Sequence, residues 1–78
     1  MIELIIAAEI LGYTKKDYGY RLVTDNSTHW ISFYGDKVQM YAYFTDDPEC
    51  DKIYDTGVIA INADQLETLF DVLVKNHF

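Results

Sequence analysis

One cysteine and no long apolar run: each scarcity in this sequence removes a class of answer. A lone Cys50 cannot form an internal disulfide, so the fold is expected to owe nothing to an oxidising compartment. No stretch approaches the roughly 20 apolar residues that a membrane-spanning helix needs. The apolar start, Met1–Leu11, has neither a basic leader nor a small-residue cleavage site, so a cytoplasmic protein is expected. Basic residues are also few, with 6 Lys and Arg against 13 Asp and Glu and a formal charge of −7 over 78 residues. That balance repels phosphate backbones and anionic lipid, so no direct nucleic-acid partner and no membrane partner is expected. Motifs that carry chemistry are absent as well: there is no glycine-rich phosphate loop, no Cys-x-x-Cys pair and no Ser/His/Asp grouping. The reading is non-enzymatic, with no catalytic residue, cofactor or metal.

What is present is a folding chain. Half the residues are apolar and 15% are aromatic, which is too much for a disordered segment. The length allows one domain, residues 1–78, which buries only about 60–65% of its unfolded surface and is therefore marginal in stability.

Alternation of side chains predicts strands over Tyr18–Thr24, Thr28–Tyr34 and Lys37–Thr45. Gly35-Asp36 suits a two-residue hairpin turn, which pairs Tyr34 with Lys37, Phe33 with Val38, Ile31 with Met40 and Trp30 with Tyr41. That register gathers Ile31, Phe33, Val38 and Met40 on one face, and a slip of one residue would mix the faces. A turn around Asp25-Asn26-Ser27, with Asp25 opposite Thr28, aligns Leu22 with Ile31 and Tyr20 with Phe33. The opposite face then holds Arg21, Val23, Trp30, Ser32, Tyr34, Gln39, Tyr41 and Tyr43.

Around this meander, Ile2–Leu11 is expected to be a helix stopped by Gly12. Its acids, Glu3 and Glu9, lie about 120° apart on the wheel, which leaves a broad apolar arc that should be buried on more than one side. Tyr13–Asp17 reads as a polar connection and Asp46–Asp55, with Pro48, as an acidic loop. Thr56–Ile61 reads as a fourth strand with Ile59 and Ile61 towards the core. A last helix is capped by Asn62 with Gln65; it buries Leu66, Leu69, Phe70, Leu73 and His77 and exposes Asp64, Glu67, Thr68, Asp71 and Lys75. The element order predicts an α+β fold: an N-terminal helix, an antiparallel sheet of about four strands (the meander plus one), and a C-terminal helix packed on one face.

Candidate chemistry is thin. His29 is placed on the core side near Ala42, where a hydrogen-bonded structural role is expected, and His77 is read as frayed or capping. Acids at Asp47, Glu49, Asp51 and Asp55 have part of a calcium-loop spacing. Lys52 stands where the invariant glycine belongs and Val58 where the bidentate glutamate belongs, so no metal is expected. Cys50 sits among carboxylates, which raise a thiol pKa and disfavour a nucleophile.

The aromatic face admits two expectations: a core face covered by the first helix or a second copy, or an open surface for another protein. Trp, Tyr and Arg dominate interface hot spots, so Arg21, Trp30, Tyr34, Tyr41 and Tyr43 are the candidate partner-binding residues. Asp46, Asp47, Glu49, Asp51 and Asp55 form the candidate acidic surface. Together they suggest a small acidic binding domain, an inhibitor or decoy that engages a basic, nucleic-acid-handling protein. In physical character this is similar to anti-restriction, anti-CRISPR and nuclease-immunity proteins. The alternative is a homodimeric structural or accessory domain that uses the aromatic face or the first helix as its subunit contact.

Overall fold

A computed structural model describes residues 2–46, 49 and 51–77; Asp47, Pro48 and Cys50, named above, lie outside the described residues. The expected α+β fold is present, with six strands rather than about four. The order is α1 (Ile2–Ile10), β1 (Thr14–Lys16), β2 (Gly19–Val23), β3 (Ser27–Tyr34), β4 (Lys37–Phe44), β5 (Lys52–Asp55), β6 (Ile59–Ala60) and α2 (Ala63–His77). Strands β1 to β5 lie in sequence order in one antiparallel sheet, and β6 pairs with β4. No helix among the described residues is long and apolar enough to cross a membrane.

The β3–β4 hairpin has the predicted register throughout, from Tyr34 opposite Lys37 to Trp30 opposite Tyr41. Gly35 turns it with φ 65°, a conformation that costs glycine little. The β2–β3 register differs from expectation by two residues: Tyr20 faces Ile31 and Leu22 faces His29. The cause is a turn of the same length placed one residue earlier in the chain. Thr24 N–H donates to the Ser27 carbonyl at 2.8 Å, and Ser27 N–H donates to Thr24 Oγ1 at 3.0 Å, so only Asp25 and Asn26 lie between. A shift of two leaves every side chain on its predicted face.

Two strands stand where connections were expected. Thr14–Lys16 folds back on β2 through Asp17-Tyr18, and Gly19 lets the chains approach, because a Cβ there would collide with the Ile31 carbonyl. In the acidic stretch, Lys52–Asp55 pairs with Tyr41–Tyr43 across an irregularity between Ala42 and Tyr43. The predicted fourth strand shrinks to Ile59–Ala60, which pairs with the beginning of β4. Thr56 tethers the intervening bend: its N–H donates to the Met40 carbonyl, and its Oγ1 accepts from Met40 N–H.

Both helices lie on the aliphatic face. Leu4 and Ala8 of α1, Leu69 and Leu73 of α2, and Ile31, Val38 and Met40 of the sheet form one core. Gly12, at φ 101°, ends α1 in a Schellman pattern, with Tyr13 N–H bonded to Ala8 O and Gly12 N–H to Glu9 O. Gln65 N–H donates to Asn62 Oδ1 at 3.0 Å, the predicted cap of α2. The arc of α1 is buried on one side only. Ile2, Ile6 and Ile10, four residues apart on one stripe, remain 67%, 50% and 79% exposed.

Candidate functional site: an open aromatic sheet face

Because directly paired residues point to the same side of a sheet, the register itself builds the site. One row across the sheet runs Thr14, Arg21, Trp30, Tyr41, Asp55. The next row runs Val23, Thr28, Tyr43, Lys52. With α1 and α2 both on the opposite face, neither helix covers these residues, so the expectation that the first helix covers them does not hold. Trp30, Tyr41 and Tyr43 are half-buried, while Tyr34 and Val23 are exposed. Ser32 and Thr28 are buried on this face, as small side chains between large neighbours.

Two cations lie over the rings. Arg21 Cζ is 5.5 Å from the Trp30 centroid and Lys52 Nζ is 5.4 Å from that of Tyr41. Trp30 Nε1 donates to the Tyr43 hydroxyl at 3.5 Å. Asp55 ties the second pair together, accepting from Gln39 Nε2 at 2.9 Å, Lys52 Nζ at 2.6 Å and Gly57 N–H at 2.8 Å. The Gln39 and Lys52 hydrogen bonds hold its carboxyl down at about 2, and the same contact raises Lys52.

The structure thus brings Arg21, Trp30, Tyr41 and Tyr43 into one patch, with Tyr34 two rows away, about 13 Å along the strand. The candidate acidic surface divides. Asp55 belongs to the aromatic face, whereas Asp46, Glu49 and Asp51 are exposed around the β4–β5 connection. A bond from Thr45 N–H to Asn26 O sets that connection beside Asp25. Sequence reasoning missed Lys52 and Lys16, which parity places on the open face, because their strands were read as connections. A spacing of three puts Lys52 and Asp55 on opposite faces of a regular strand, and only the irregularity between Ala42 and Tyr43 sets both on this one.

A second polar cluster lies in the core, where His77 is neither frayed nor capping. His77 Nε2 meets the Tyr13 hydroxyl at 2.7 Å, and its ring centroid is 4.8 Å from that of His29. His29 is hydrogen-bonded, as expected, through Nε2 to Ser27 Oγ at 2.9 Å and Nδ1 to the Tyr54 hydroxyl at 3.2 Å. Burial lowers both histidines, His29 further through its neighbour His77, and burial raises both tyrosines. Ser27 beside His29 has the spacing of a nucleophile and its base. Both are about 6% exposed, and Ser27 Oγ is also bonded to Thr24 Oγ1 at 2.6 Å, so no substrate path leads to it. Comparison with protein-family models, curated proteins and solved structures finds no match to this chain.

Proposed function

We propose that this chain is a non-catalytic protein-binding domain whose docking surface is the open aromatic face. The observation that carries this reading is the placement of both helices on one side, which leaves Trp30, Tyr41, Tyr43 and Arg21 as an uncovered patch. These residue types supply hot-spot energy in interfaces. The face is poorly suited to stacked bases, because Arg21 and Lys52 already occupy the ring faces that a base would need. A partner with a basic surface fits the rest of the molecule. The charge of −7 steers it, and Asp25, Asp46, Glu49 and Asp51 meet it at one end of the patch. In this reading the domain acts in the cytoplasm as an inhibitor or decoy for a nucleic-acid-handling protein.

Affinity capture from lysate with the wild-type chain and with Trp30→Ala/Tyr41→Ala tests the proposal, with circular dichroism verifying the variant's fold. Basic nucleic-acid-handling proteins retained by the wild type and lost by the folded variant are expected. Equal capture by both chains would remove the aromatic face from the account.

A second reading, a homodimer joined through α1, has its own observation in the exposed ridge Ile2, Ile6 and Ile10. Contiguous exposed apolar strips of this kind mark contact surfaces. Light scattering of the purified chain separates the two readings.

A further inference from the structure

Between the β5–β6 edge and α2 runs a groove of ≈ 520 Å³, within the size range of small-molecule sites. It exists because β5 and β6 share one side of β4 without forming a continuous strand, and no further strand pairs beyond them among the described residues. Its apolar lining comes from Tyr54, Ile59 and Val72, all half-buried. Two charged side chains reach it, Asp55 and Lys75. They are not equivalent. Asp55 is already committed to Gln39, Lys52 and Gly57. Lys75 is exposed and forms no ion pair among the described residues. Asn76 lies next to it, with its amide nitrogen bonded to the Val72 carbonyl, so its side-chain position is fixed.

We propose that this groove binds a small amphipathic carboxylate, with its apolar body against Tyr54, Ile59 and Val72 and its carboxylate at Lys75. An apolar lining with one uncommitted cation at its end is the complement of an apolar molecule with one negative head. A cationic ligand would bring a like charge to Lys75 and find Asp55 already engaged. This site lies at the sheet edge and over α2; it touches the Trp30 row only at its end residue, Asp55, and the proposal stands independently of what docks on the aromatic face.

The test is an NMR titration of the full chain with octanoate and, in parallel, with octanol as the uncharged probe. Saturable shifts at β5, β6 and the facing side of α2 are expected with octanoate. Lys75→Gln, a substitution at an exposed helix position, should weaken octanoate about tenfold and leave octanol unchanged, the effect of losing one charge-assisted hydrogen bond. Thr68→Trp, which fills the groove from its exposed rim, should weaken both. Equal affinity for the two probes, indifference to Lys75→Gln, or shifts at Arg21, Trp30 and Tyr41 in place of the groove would each overturn the proposal.

Discussion

The pair His29 and His77 shows how a single contact sets a pH dependence. Both imidazoles are held below their ordinary value, by burial first and for His29 also by the neighbouring ring. The fold therefore favours the neutral forms, while the unfolded chain takes up protons at about pH 6.5. Below that pH the unfolded state binds more protons, so stability is full above about 6.5 and falls as pH drops towards the depressed folded values. Tyr13 and Tyr54, raised by burial, stay neutral across this window. Asp55 does not interfere. Its carboxyl, held at about 2, contributes stability that is complete above the ordinary value of 3.8 and is lost as pH falls through that lower range. Urea unfolding midpoints should decrease between about pH 7.5 and about pH 5.5, and His77→Gln should shrink that decrease. A midpoint independent of pH would show that the rings are not held neutral. The core-side placement of His29 and of His77 was legible in the alternation of β3 and the stripe of α2, but their meeting was not: Tyr13 and His77 are 64 positions apart, and only the packing of α2 brings them together.

At the scale of elements, legibility followed the amount of side-chain pattern each segment carries. Strands β3 and β4 were readable because Ile31, Phe33, Val38 and Met40 alternate on both sides of a glycine turn, so two signals agree on one register. Three residues, Thr14–Lys16, carry too few alternations to show a strand, and their pairing is imposed by β2. In β5 the flanking acids masked Lys52-Ile53-Tyr54, where Tyr54 packs against the core and Lys52 joins the open face. Helix α2 was legible down to its cap, which gives an element-scale prediction. Asn62→Ala leaves Gln65 N–H without its side-chain acceptor and should cost about 1 kcal/mol. In a domain of this size that is a fall of about 4–8 °C in Tm. Asn62→Asp should retain most of the stability, since a carboxylate also accepts this bond and suits the helix N-terminus. Thermal unfolding that ranks the two variants equally would show that the cap contributes nothing.

For the molecule as a whole, the two candidate contact surfaces differ in charge, and that difference makes them separable. The open face carries Lys16, Arg21, Lys37 and Lys52 at strand positions, against Asp55 alone. Two copies meeting through it would oppose like charges, so the face suits a different protein, one that sets apolar or acidic side chains against these cations and its basic surface against Asp25, Asp46, Glu49 and Asp51 at the end of the patch. The α1 ridge, in contrast, presents Ile2, Ile6 and Ile10 with no cation in the helix. A self-association through α1 must bring together two chains of −7 each, a repulsion that salt screens. Added salt should therefore strengthen an α1 dimer and weaken capture of a basic partner by the aromatic face. Light scattering across a salt series should show an apparent mass that rises with salt in the wild type, stays that of a single chain in Ile6→Glu, and is unaltered by Trp30→Ala. A single-chain mass at every salt concentration would eliminate the dimer and leave the aromatic face as the contact surface, whereas a dimer lost in Trp30→Ala would assign the open face to a second copy.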